Sequence, residues 1–96
     1  MQQYIVYAWD DTDDQALQRR MDSRPAHFAN ARSMKENGNF VFGGAILDEQ
    51  GKMIGSMMVV QFNTPEELQL WMQTEPYITG QVWQKTDIRP FRTADV

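Results

Sequence analysis

Residues 53–62 read MIGSMMVVQF, a run in which apolar side chains do not alternate with polar ones. In a strand, successive side chains point to opposite faces. Met57 and Val59 therefore oppose Met58 and Val60, and both faces of this segment are apolar. The same holds for YIVYAW at residues 4–9, where Tyr4, Val6 and Ala8 point one way and Ile5, Tyr7 and Trp9 the other. That segment is rich in aromatic and β-branched residues and stops at the polar DDTDD, so it reads as a strand and a turn. A fold built on these two strands has to cover both of their faces.

Working outward, FVFGGAIL at 40–47 joins MIGSMMVVQF through DEQGK, and the turn chemistry between apolar runs predicts a hairpin. Gly43, Gly44 and Gly55 lie inside these strands, where glycine marks a bulge or a close backbone approach. Between the first two strands the sequence predicts helix in two parts: a short one over DQALQRRM, 14–21, and a stronger one over SRPAHFANARSMKENG, 23–38. Asp22 or Ser23 would cap the second, Pro25 would sit in its first turn and Gly38 would end it. At about 100° per residue, Arg24, His27, Phe28, Ala31 and Met34 share an inward arc, with Asn30, Ser33, Glu36 and Asn37 mainly opposite. TPEELQLWMQTEPY, 64–77, predicts another long helix, with Thr64 as N-cap, Pro65 in first position and Glu67 completing a capping box. Leu68, Trp71 and Met72 make its buried face, and Glu75 falls on it too. Pro76 disfavours helix at Glu75, which places that carboxylate at the helix end. VWQKTDIRPF, 82–91, reads as a more polar strand.

The order strand, helix, strand, strand, helix, strand predicts one α+β domain over residues 1–96. The expected architecture is a ferredoxin-like βαββαβ with a four-stranded antiparallel sheet and both helices on one face. Its first and third strands are central, and the last, carrying Pro90, suits an edge. Two helices leave the other sheet face bare, and burying each large apolar side chain there is worth roughly 1.5–3 kcal/mol. The expectation is a two-fold homodimer through the sheet face; the alternative is a strand register or terminal extension that hides the face within one chain.

The chain has 96 residues, a net charge of −4 and no cysteine, with a pI of about 4.7. The acidic balance and scattered basic residues argue against a nucleic-acid partner. No apolar run approaches the ~20 residues that span a bilayer, and MQQYIVYAWDD lacks the marks of a signal peptide. Without cysteine there is no disulfide or thiol chemistry. The expectation is a cytoplasmic protein with no membrane partner.

His27 is the only histidine. An inward imidazole is either a general base or acid tuned by its neighbours or a core histidine bonded to a backbone carbonyl. Glu75 is the second unusual position, since carboxylates are rarely buried without a partner. The two make a proton-transfer pair if they meet; otherwise Glu75 bends out to solvent at a frayed end. One histidine and no cysteine make a zinc or transition-metal site poor, and IGSMM lacks the G-x-S-x-G elbow. Arg20 and Arg24 flank His27 and suit an anionic substrate, or belong to a solvated helix end. Ser56 follows a strand glycine and is a candidate for positioning substrate.

These segments together resemble the YciI-like family. The likeness runs over YIVYAWD, ALQRRMDSRPAHFANAR, GGAILDEQGKMIGSMMVVQF and EPYITGQVWQKTDIRPF. Its most specific parts are RPAH, the acidic-Pro-Tyr motif followed by Gly80, and the closing IRPF. The resemblance implies a ferredoxin-like domain that pairs into a dimeric α+β barrel, with a His–Asp dyad in a small-molecule cleft. The family histidine matches His27, and the position of its aspartate is held by Glu75. Tyr77 of the same motif joins Arg20, Arg24 and Ser56 as candidate substrate-binding residues. By analogy with a relative that removes chloride from a chlorinated hydroquinone, the implied chemistry is cofactor-independent elimination or isomerisation. The alternative to an enzyme is a non-catalytic dimeric module that binds a ligand or a protein. Two departures stand out: glutamate adds a methylene to the dyad's reach, and Ala45 replaces the proline that many members carry after the paired glycines.

Overall fold

Four strands form one antiparallel sheet in the computed structural model, which describes residues 1–96. In chain order the elements are β1 (Gln2–Asp10), α1 (Ala16–Glu36), β2 (Phe40–Leu47), β3 (Met53–Phe62), α2 (Pro65–Thr74), α3 (Pro76–Thr79) and β4 (Trp83–Phe91). The sheet order β2-β3-β1-β4 puts β1 and β3 in the centre, the ferredoxin-like arrangement that the apolar strands called for. Pro90 pairs with Tyr4 on edge strand β4, where its missing N–H faces away from any further strand.

Cross-strand register sorts the side chains. Val6 lies opposite Met58, and Ala8 opposite Ser56, on the face that the helices cover. There Val6, Ala8, Met58, Val60 and Phe62 join Leu68, Trp71, Tyr77 and Trp83 in one buried core. The opposite face carries Tyr7, Trp9 and Phe42, exposed by 42%, 39% and 46%. Each is a large aromatic left partly in water, whereas Val59 on the same face is fully buried, so the second apolar face anticipated from the strands is only partly covered in the single chain.

The first helical region is one helix, not two. α1 runs unbroken from Ala16 to Glu36 with Pro25 in its interior, so the expected break and the cap at Asp22 or Ser23 do not occur. Proline removes one hydrogen bond to the residue four back. That residue is Met21, which is exposed, so water can satisfy its carbonyl. Arg19 and Arg20 also tie the first half of the helix to Asp13 and Asp10. The buried positions Ala16, Arg20, His27 and Met34 define an arc turned toward Asn30 relative to the one expected. Phe28 is left 39% exposed.

The second helical region is broken where Pro76 demands it. Thr64 accepts from Glu67 N at 3.2 Å and starts α2 as expected. Glu75 then adopts an extended conformation, φ −60° and ψ 123°, and becomes the N-cap of α3. A Cβ on Gly80 would collide with Ser23 Oγ of α1 and with the Pro76 carbonyl, so glycine permits close packing of α3 on α1. The left-handed residue that ends this turn is the next one, Gln81, at φ 58°. Gly55 and Gly43 are likewise close-approach positions, with Cβ atoms that would lie 2.5 Å from Ala8 O and 2.8 Å from Met57 O. Gly44 has open space instead.

Candidate functional site

α1 carries His27 to the point where α2 gives way to α3, and there Nδ1 of His27 meets Oε1 of Glu75. Both side chains are buried, Glu75 to 1% exposure and His27 to 7%. The proline that ends α2 fixes the Glu75 backbone, and the carboxylate turns inward rather than toward solvent. It sits in a cage of donors. Tyr77 N donates to Oε1 at 3.2 Å, and Trp71 Nε1 donates to Oε2 at 3.2 Å. Asn30 Nδ2 reaches Oε2 at 3.4 Å. The Glu75 side chain also caps the start of α3. An acceptor so surrounded by N–H groups makes Nδ1 of His27 the protonated ring nitrogen.

The imidazole is held on three sides. Its ring stacks on Tyr77 at 3.8 Å between centroids and 10° between planes, and Trp83 meets it edge-on at 5.9 Å. Glu75 holds Nδ1. The remaining nitrogen, Nε2, has no protein hydrogen bond and borders a cavity of about 240 Å³. The cavity lies between α1 and the β2–β3 hairpin, and its lining includes Arg20, Arg24, Phe40, Gly44, Ser56 and Tyr77.

Arg20, Arg24, Ser56 and Tyr77, the four candidate substrate-binding residues, therefore all border one space, but they are not equivalent. Arg20 is 3% exposed. Its Nη1 donates to both Asp10 oxygens at 3.0 Å, its Nη2 donates to Ser56 Oγ at 2.9 Å, and its guanidinium lies 4.8 Å from the Tyr77 ring centroid. Its charge is answered by Asp10 rather than offered to a ligand. Burial pushes the Asp10 carboxyl above the ordinary carboxylate range, and Arg20 pulls it back only in part. Arg24 has no ion pair and lies 4.7 Å over the ring of Phe28. Ser56 Oγ accepts a second bond from Trp83 Nε1 at 3.1 Å. The Tyr77 hydroxyl is buried without a hydrogen-bond partner; burial pushes its pKa up, so it remains a protonated donor at neutral pH.

Asp10, Asn30 and Trp71 belong to this site although the sequence reading gave them no role in it. Trp71 could have been found, because it precedes Glu75 by one helical turn on the same face. Asn30 follows His27 by three, which puts it within reach of the same partner. Asp10 stands first in an acidic run that reads as a solvated turn, and nothing local marks it as buried. No three of the His, Cys, Asp and Glu side chains group as metal ligands.

Comparison with known proteins adds four findings. The profile of the YCII-related domain matches residues 3–92. The Escherichia coli protein YciI is 27% identical over 95 residues, covering 93% of this chain and 95% of that protein. A benzaldehyde-derivative biosynthesis cluster protein of Emericella nidulans is 31% identical over 74 residues, 69% of this chain and 76% of its own length. Among solved structures, the 5-chloro-2-hydroxyhydroquinone dehydrochlorinase of Burkholderia phenoliruptrix, in complex with 2,5-dihydroxybenzoquinone, shares the fold with a TM-score of 0.80 at 20% identity. That match covers 96% of this chain and 95% of the enzyme.

Proposed function

This chain belongs to the YCII-related domain family, and on that footing we propose that it is a cofactor-independent small-molecule enzyme in which His27 transfers the proton and Glu75 orients it. One observation carries the reading: a buried carboxylate holds Nδ1 of His27 and leaves Nε2 free at the cavity. An imidazole fixed in this tautomer accepts a proton at Nε2, and the imidazolium that forms is stabilised by the carboxylate on its far side. The electron pair released from the substrate's O–H or C–H bond then moves a double bond, as in a ketonised ring, or expels a leaving group from a saturated carbon attached to the conjugated system, where the new double bond forms. His27 returns its proton to the leaving group, to another substrate carbon or to water. The fold shared with a dehydrochlorinase supports elimination as the first reaction to try.

The experiment is chloride release from 5-chloro-2-hydroxyhydroquinone, followed by solvent-deuterium incorporation into a panel of hydroxylated and enolisable ring compounds, read by proton NMR. Activity in the wild type that is lost in His27→Gln supports the proposal. No turnover and no exchange with any compound, in protein that binds the same compounds, favours the non-catalytic binding module instead.

The working unit in this reading is a homodimer formed through the open sheet face. Partial exposure of Tyr7, Trp9 and Phe42 on that face supports it, since covering the part of each that is still exposed adds roughly 1 kcal/mol. Sedimentation should give a dimer at micromolar concentration, and Tyr7→Lys should shift it to monomer. A monomeric wild type would refute the assembly.

A further inference from the structure

Hydrogen-bond polarity around the cavity is set by the protein before any ligand arrives. Ser56 Oγ accepts from Arg20 Nη2 and from Trp83 Nε1, which occupies both of its lone pairs. Its own proton has no protein acceptor, so the hydroxyl can serve a ligand only as a donor. Arg24 is also only a donor, and the protonated Tyr77 hydroxyl is an unpartnered one. His27 Nε2 is the exception, an acceptor because Nδ1 carries the proton toward Glu75.

The charge is equally one-sided. No carboxylate lines the cavity. Of its two arginines, Arg20 is neutralised by Asp10 and Arg24 is not. A protein of net charge −4 thus presents one uncompensated positive group at its cavity. The volume, about 240 Å³, exceeds the ~150 Å³ that encloses benzene by room for a few further heavy atoms, the size of a substituted ring. Gly44, with no side chain, leaves one wall flat.

We infer that the cavity selects a small cyclic oxyanion. Ser56 Oγ–H and the Arg24 guanidinium hold its negative oxygens, and an O–H or C–H of the same ring is presented to His27 Nε2. The last clause rests on the proton-transfer role proposed for His27; the charge selection does not. Arg24 is then a specificity-determining residue, while Arg20 and Trp83 act through Ser56 as positioning residues.

The test is isothermal titration of 2,5-dihydroxybenzoate, of its neutral methyl ester and of a panel of monohydroxybenzoates and their esters. The acids should bind at least about tenfold tighter than their esters, the scale of one charge-assisted hydrogen bond. Arg24→Gln should abolish that ratio, while Arg32→Gln, which alters an arginine outside the cavity, should preserve it. Ser56→Ala should weaken the acids more than the esters if it folds; if it does not, the comparison of Arg24→Gln with Arg32→Gln decides. Equal binding of acids and esters, a ratio that survives Arg24→Gln, or no binding across the panel would overturn the inference. Charge-blind binding together with His27-dependent turnover would overturn it alone. Charge-selective binding without turnover would uphold it and remove the enzymatic reading.

Discussion

The rings of His27 and Tyr77 lie face to face, 3.8 Å apart at their centroids, and the backbone N–H of Tyr77 also binds the carboxylate that holds His27. One residue thus fixes both members of the pair: its main chain anchors Glu75 and its side chain anchors the imidazole. The hydroxyl takes no part, being buried without a partner. Tyr77→Phe should leave stability unchanged or raise it by about 1 kcal/mol, because an unsatisfied polar group is removed. Tyr77→Ala should lower it by about 3–5 kcal/mol through the cavity left behind. Urea denaturation checks both; a large loss in Tyr77→Phe would mean that the hydroxyl has a partner in solution.

Glu75→Gln replaces an acceptor-only group with one that must also donate, facing N–H groups from Trp71, Tyr77 and Asn30. One donor is then left opposite another. Stability should fall by about 1–3 kcal/mol. The ¹⁵N shifts of the His27 ring should change from a single Nδ1–H tautomer to a mixture. Identical ring shifts in variant and wild type would show that Glu75 does not orient the imidazole.

Arg20 and Asp10 form a pair with side chains 3% and 4% exposed. Asp10→Asn would strand a buried guanidinium, for which the expected loss is about 3–5 kcal/mol. Combining it with Arg20→Met should recover most of that loss, since replacing a whole buried pair by apolar groups is often neutral. A double variant as unstable as Asp10→Asn alone would place the energy in the Ser56 contact rather than in the ion pair.

Asp13 gives a pH signature. Arg19 binds its two oxygens at 2.6 and 2.9 Å and lowers its pKa from 3.8 to about 2. A depressed acid contributes stability that is complete above its unfolded value and is lost as pH falls. The melting-temperature gap between wild type and Asp13→Asn should therefore be steady above pH 3.8 and close as pH drops to about 2. Asp10, with a raised pKa, works in the other direction: its contribution is lost as pH rises through that raised value. No gap between the two proteins at neutral pH would show that the Asp13–Arg19 pair does not survive in solution.

The sequence alone determined the strand order and the central place of β1 and β3, because period-two patterning and turn chemistry are local properties that each segment carries by itself. It also marked Glu75 as a carboxylate taken out of the helix by Pro76, which is a steric rule between neighbours. Tertiary structure alone decided that α1 is continuous through Pro25, since a helix interrupted by one missing bond is kept by packing and by ties such as Arg20 to Asp10. It brought His27 to Glu75, 48 residues away along the chain, a meeting that the residue pattern left open and only the family resemblance implied, and it alone made Asp10 a buried partner instead of a turn residue. Periodicity reports which way a side chain faces, but which donor meets which acceptor depends on how α1 and the α2–α3 break are set against the sheet. That relation is fixed by the packing of the whole core.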